Sequence, residues 1–237
     1  MITRRHFATL IILLGLAAFA AGKDSVIQIR AVLQDSANPD AKFFVGKAAS
    51  PRIPLNLADE GLTEPQKVTT ENGNLNLFTS AAADKANPPA GLAATIKVPV
   101  GPTRLIVIIA PAAPGTVPPY RMVVLDDDPK AFPWGESRAV NLTPLECSLE
   151  VGDQKVPLPG GMVTAVPKVT KLDEYNRAPT NFQYKQNDQW MVAAELQMQF
   201  VDTLRRVFVI YETPDASALQ VRNLVDQRPA GSVKKSR

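Results

Sequence analysis

Histidine occurs once in the 237 residues, at His6, and cysteine once, at Cys147. His6 lies in a segment expected to be removed, so the mature chain would work without imidazole. A Ser-His-Asp triad needs a base that titrates near neutrality, and zinc sites are built from histidine or from paired cysteines. Both chemistries are excluded. Cys147 falls in phase with Leu149 and Val151 on the apolar side of an alternating segment, which reads as a buried, inert thiol. A nucleophilic cysteine needs exposure and a cationic or basic neighbour. Carboxylate chemistry and aromatic recognition remain.

The densest acidic group is Asp126-Asp127-Asp128, followed by Pro129. Three carboxylates on one loop offer the oxygen ligands that calcium takes. The spacing lacks the alternating ligands, central glycine and distant glutamate of an EF-hand. The competing reading is a solvated strand end with acidic turn residues before proline. Calcium is therefore the one ion left open, and no cofactor is expected. A glycosidase needs two carboxyls at a set separation across a cleft. Glu136, Glu146, Glu150, Asp173, Glu174, Glu195 and Asp202 are available, and spacing singles out no pair. Tyr120, Phe132, Trp134 and Trp190 are the candidate ligand-binding residues. Exposed rings bind sugars or proline-rich peptides by stacking and apolar burial. The alternative for Phe132 and Trp134 is that they fill the seam between two sandwiches.

The elements that would position these groups are strands. In Val26–Leu33, Ile27, Ile29, Ala31 and Leu33 share one face, with Gln28 and Arg30 on the other. Segments 68–70 and 75–78 flank Asn72-Gly73, a hairpin turn pair that tolerates positive φ. Residues 105–109 (LIVII) and 205–211 (RRVFVIY) are continuous β-branched or apolar runs, expected to be central strands. Further strands are expected at 120–125, 137–142, Cys147–Val151, 155–158, 162–166, 182–184 and 219–225. Gly152-Asp153 is a two-residue hairpin with glycine leading. From Trp190 onward, Trp190, Val192, Ala194, Leu196, Met198 and Phe200 alternate and are expected to share one face. The stretch AAELQMQF also contains good helix formers, but alternation favours a strand.

Many short strands between turn signals, with no long amphipathic helix, give an all-β chain of one or, preferably, two β-sandwich domains of immunoglobulin-like type. The expected organisation is a signal peptide at 1–20, a first sandwich at 21–128 and a linker at 129–136. A second sandwich at 137–227 and a disordered basic tail at 228–237 follow. A faint internal echo supports duplication. Arg30-Ala31-Val32, Phe44-Val45-Gly46 and Ile53-Pro54-Leu55 parallel Arg138-Ala139-Val140, Glu150-Val151-Gly152 and Val156-Pro157-Leu158.

Residues 138–167 (RAVNLTPLECSLEVGDQKVPLPGGMVTAVP) carry one resemblance. A strand ends in Asn141-Leu142-Thr143, a short hairpin follows, and Pro159-Gly160-Gly161 precedes the next strand. This resembles the repeated β-sandwich domains of unknown function in secreted bacterial proteins. The resemblance implies a sandwich and an envelope location, and it implies no activity.

The start of the chain agrees with export. Arg4-Arg5, an apolar stretch at 10–19 and Ala18-Phe19-Ala20 have the anatomy of a signal peptide. Thr3-Arg4-Arg5-His6-Phe7-Ala8 also resembles a twin-arginine signal, and both routes stay open. The apolar run is short for a bilayer span, so no span is expected in the mature chain. Removing Arg4 and Arg5 takes two units from the formal charge of +3, so the basic balance is no evidence for nucleic acid. No basic stripe interleaves with aromatics. Gly160-Gly161 is a turn between strands and not a phosphate cradle. A single cysteine provides no internal disulfide, so stability rests on packing.

The function expected is that of an exported, periplasmic or extracellular, non-enzymatic binding or structural module of the bacterial envelope. Its partner would be an envelope protein or a glycan. The alternatives are a carboxylate-dependent polysaccharide hydrolase and a subunit of an envelope assembly held by an open sheet edge.

Overall fold

The computed structural model describes residues 23–58, 61–213 and 218–228. The expected signal peptide and residues 229–237 of the expected tail lie outside these. The described residues form strands and no helix. The first half contributes β1 (Val26–Leu33), β2 (Phe44–Val45), β3 (Ile53–Pro54) and β4 (Gln66–Thr69). It continues with β5 (Asn74–Phe78), β6 (Leu92–Lys97), β7 (Arg104–Pro111) and β8 (Tyr120–Asp126). The second half contributes β9 (Ser137–Asn141), β10 (Cys147–Val151), β11 (Gln154–Leu158) and β12 (Val163–Val166). It ends with β13 (Arg177–Gln186), β14 (Gln189–Gln199), β15 (Leu204–Tyr211) and β16 (Gln220–Gln227). The turn chemistry accounts for the hairpins. Asn72 and Gly73 lie at φ 51° and 74°, Asn187 and Asp188 at 51° and 61°, and Gly152 at 61°, the backbone that tight hairpins require.

The four sheets have strand orders β4-β1-β7-β8, β3-β2-β5-β6, β12-β9-β15-β16 and β11-β10-β13-β14. Adding eight to each strand number of the first pair gives the second pair. The pairing senses repeat as well. β1 runs parallel to β7 and β9 parallel to β15, and the other pairs are antiparallel. A bulge also recurs. The β5–β6 ladder slips so that Leu77 faces Ala94 and Phe78 faces Leu92, and the β13–β14 ladder slips so that Phe182 faces Ala194 and Gln183 faces Val192. Each slip skips the first alanine of an Ala-Ala pair. The echo between Ile53-Pro54 and Val156-Pro157 is correct in register, since Pro54 pairs with Phe44 as Pro157 pairs with Ser148. Val45 corresponds to Leu149 and not to Val151, because they face Leu77 and Phe182.

Each half has its own core between its two sheets. One is built around Ile29, Leu75, Leu77, Leu105 and Val107, the other around Leu149, Phe182, Phe208 and Ile210. A third cluster joins the halves. Val32, Ile106 and Ile108 from the first meet Val140, Val207, Val209 and Leu224 from the second, with Phe132 among them. The sheets containing β7 and β15 therefore pack against each other, and the molecule is a stack of four sheets. This explains the continuous apolar runs of β7 and β15, which are buried on both faces (Ile106, Ile108, Phe208 and Val209 are at 0 % exposure).

The Asn-Leu-Thr strand end has a structural role. Asn141, buried, donates to the carbonyls of Leu145 (2.8 Å) and Leu158 (3.0 Å) and accepts from the Thr143 amide and hydroxyl. Beside it, a Cβ at Gly160 would sit 2.5 Å from the Pro144 carbonyl oxygen, so the turn admits only glycine there. Asn141→Ala leaves buried carbonyls without donors and is expected to lower stability by about 1–3 kcal/mol. Chemical denaturation at unchanged m-value measures this, and an unchanged midpoint would show the bonds to be dispensable.

Candidate functional site

The aromatic residues singled out by sequence separate into different environments. Tyr120 packs edge-on against Phe43 (4.9 Å between centroids) and donates its hydroxyl to Asp35 Oδ2 at 3.0 Å. Phe132 is 1 % exposed in the seam. Trp134 lies over the Arg205 guanidinium at 4.4 Å, and Phe132 contacts the same group at 4.7 Å. Trp190 alone is well exposed, at 42 %, on β14. The structure thus brings Phe132 and Trp134 together around Arg205 and leaves Tyr120 and Trp190 elsewhere.

The acidic triplet also splits. Asp126 Oδ1 accepts from the Asp128 amide and Asp128 Oδ1 from the Lys130 amide, as turn-capping carboxylates do. Asp127 turns inward to 1 % exposure and joins a charged cluster across the seam. Its Oδ1 accepts from Arg30 (2.6 Å) and Arg205 (2.8 Å), and its Oδ2 from Arg30 Nε (3.0 Å). Asp226 completes the set, accepting from both Arg30 nitrogens at 2.9 Å and from Arg205 Nε at 3.1 Å. Arg205 also donates to the Phe132 carbonyl at 2.9 Å. Two arginines thus meet two aspartates, drawn from both halves of the chain, and Arg104 adds a longer contact to Asp127 Oδ2 at 3.4 Å from the solvent side.

Low dielectric makes an unpaired buried charge very costly, so such a set persists only when its bonds are filled. Burial opposes the Asp226 charge, but the hydrogen bonds from Arg30 and Arg205 outweigh it and hold its carboxyl below the ordinary value. Burial likewise opposes the Arg30 charge, but hydrogen bonds to Asp226 and Asp127 outweigh it and hold the guanidinium above its ordinary value. A filled cluster of this kind fixes geometry, and its carboxylates are already balanced by arginine. Among the described residues, no three of His, Cys, Asp and Glu are grouped to hold a metal. Sequence reasoning missed Arg30, Arg205 and Asp226. One available signal was Arg205-Arg206 opening a strand expected to be central and buried, since a charge there must be paired.

Four of the seven hydrolase candidates are also engaged. Glu136 pairs with Arg138 (3.0 Å), Glu150 with Lys155 (2.8 Å) and Asp202 with Lys168 (2.6 Å). Asp173 is lowered despite desolvation, through bonds from Arg177 and the Tyr175 amide. A general acid needs the opposite displacement. One surface depression, of about 380 Å³, has Asp35 and Glu212 on its wall. Asp35 Oδ1 there accepts from the amides of Ala37 and Asn38, and its Oδ2 from Tyr120. Cys147 is 2 % exposed, and burial pushes its thiol up.

The expectation that Trp190, Val192, Ala194, Leu196 and Met198 share a face is overturned by the bulge at Ala193. Residues opposite one another on paired strands point the same way. Ala194, Leu196 and Met198 face Phe182, Thr180 and Ala178, all buried inward. Val192 and Trp190 face Gln183 and Lys185 and so point outward. A bulge changes the side to which a side chain points, and here it moves Trp190 and Val192 to the outer face. Their neighbours there are the amides of Asn181 and Gln183, with Ser148 bonded to Gln183 and Lys155 Nζ 5.6 Å from the Trp190 ring.

The equivalent face of the first half is closed. Phe78, the counterpart of Gln183, is 0 % exposed beneath the Arg52 guanidinium, 3.5 Å from the ring. Arg52 is tied to the carbonyls of Ser80 and Ala48 in flanking loops. The second half replaces both loops with the two-residue turns Gly152-Asp153 and Asn187-Asp188. No protein-family model matches the chain, and no curated protein matches it in sequence.

Proposed function

We propose that this chain is an exported, non-catalytic binding module of the bacterial envelope, and that its recognition surface is the outer face of the β11-β10-β13-β14 sheet around Trp190. The supporting observation is the contrast between the halves. The same bulge recurs in both, but loops and Arg52 cover that face in the first, whereas Trp190 and Val192 stand bare in the second. A flat indole beside a row of side-chain amides (Asn181, Gln183, Gln197) suits a glycan. The ring supplies apolar contact and the amides supply hydrogen bonds. Export rests on the sequence at 1–20. The filled charge cluster and the pairing of Glu136, Glu150, Asp173 and Asp202 favour binding over hydrolysis.

The test is an array of envelope polysaccharides probed with wild type and Trp190→Ala. Wild type is expected to bind a glycan, and the variant to lose at least about tenfold in affinity, the scale of an aromatic contact, with an unchanged unfolding midpoint. Binding that survives Trp190→Ala would move the site elsewhere. Glycan cleavage would establish a hydrolase, and capture of proteins alone would reassign the surface to peptide recognition.

A further inference from the structure

Beyond that reading, we infer that the free edge of β14 pairs two copies of this chain into an antiparallel dimer. β14 is an eleven-residue edge strand, QWMVAAELQMQ, with one charge, Glu195, and neither lysine nor proline. An open edge offers a row of backbone donors and acceptors, and its natural complement is another extended strand. The other edges of the molecule are blunted. β3 and β11 contain Pro54 and Pro157, and β4 and β12 are four residues long. β8 carries Arg121 and Asp126, β16 carries Arg222 and Asp226, and the six-residue β6 ends on Lys97. Among the described edge strands β14 is the longest, its one charge is Glu195 and its bulge lies to one side at Ala193, and it leaves Met191 (43 %), Val192 (53 %) and Leu196 (45 %) in solvent.

The strand is complementary to itself. Antiparallel pairing about a two-fold axis at Leu196 sets Leu196 against its own copy, Ala194 against the partner's Met198 and Glu195 against the partner's Gln197. Each of these pairs lies on one face, because the register avoids the bulge at Ala193. The inner faces then continue from one copy into the other, and the exposed leucine becomes buried. No like charges sit directly opposite one another, and the two Glu195 residues meet only on the diagonal, about 7–8 Å apart.

The test is sedimentation of the protein expressed from the full 237-residue chain, with substitutions at exposed Gln197. Wild type is expected to show a concentration-dependent dimer with slow hydrogen exchange along β14. Gln197→Glu places a second carboxylate opposite the partner's Glu195 and is expected to weaken the dimer about tenfold or more. Gln197→Lys creates an opposite-charge pair there and is expected to tighten it. Both changes are on solvent-facing positions and leave the fold intact, which the unfolding midpoint verifies. A monomer at every concentration, or a dimer indifferent to both charges, would overturn the inference. The Trp190→Ala array result is independent of either outcome, so the two readings can fail separately.

Discussion

Asp127→Ala is expected to cost about 3–5 kcal/mol of stability, the scale of removing one partner from a buried charge pair. The carboxylate binds Arg30 and Arg205 together, and its side chain and that of Arg205 are each 2 % exposed. Without it, both guanidiniums keep only Asp226 as a counter-ion, in a largely buried seam. Urea unfolding with an unchanged slope would measure the loss, and a loss under about 1 kcal/mol, typical of surface pairs, would contradict the geometry. Asp226 adds a pH dependence of known sign. Its folded-state value lies below the ordinary 3.8, so its contribution is fully present above that pH. The contribution is lost as the pH falls through the lower folded value, when the folded protein takes up the proton. The stability gap between wild type and Asp226→Asn should therefore be constant near neutrality and shrink in acid. A gap that grew in acid would mean that the carboxyl is raised and not lowered. Replacing all four charges with apolar side chains of similar size should be far milder than removing one, since desolvation then disappears with the attraction.

The fold was legible wherever local chemistry determines it. Asn72-Gly73 and Gly152-Asp153 specify their hairpins by backbone freedom alone, and the apolar runs of β7 and β15 reveal strands covered on both sides. β2 and β3 escaped strand assignment because two residues carry no periodicity. β6 escaped because small alanines and a bulge break the alternation in LAATIK. The same kind of bulge defeated the reading of β14, since alternation places Trp190 with Met198 and a single inserted residue reverses it. Apart from Arg205-Arg206 at the head of a central strand, the charged seam had no local signature, and nothing local names its partners. Asp127 meets Arg30 across 97 positions and Arg205 across 78, and in sequence it is one aspartate among three. Arg30 looked like a wet-face residue of an alternating strand. That face is dry because another sheet covers it, a consequence of tertiary packing that strand periodicity does not encode. Among the candidate ligand residues, Trp190 is the one that stands well exposed. Its exposure depends on the bulge and on the short turns beside it.

Phe132→Ala should destabilise the protein by about 3–5 kcal/mol, as expected for truncating a buried phenylalanine. The ring fills the seam among Ile106, Val140 and Val207, and Arg138 and Arg205 each lie 4.7 Å from its centroid. Its removal opens a cavity where both halves meet and strips the aromatic wall from a buried cation. The wild-type chain is expected to unfold in one transition, because the seam is itself a core and joins the two flanking ones. In the variant that coupling weakens. Unfolding should broaden or divide into two steps, and proteases should gain access to the segment at 126–135. Calorimetry and limited proteolysis read these effects directly. Wild-type unfolding in two steps, with Phe132→Ala changing neither, would show that each half is stable alone and that the seam adds little. Trp190→Ala is the internal control. An indole on an outer sheet face, half in water, should change stability by no more than about 0.5 kcal/mol. Two aromatics that look equivalent in sequence would then divide cleanly, one holding the sheets together and the other free to meet a ligand.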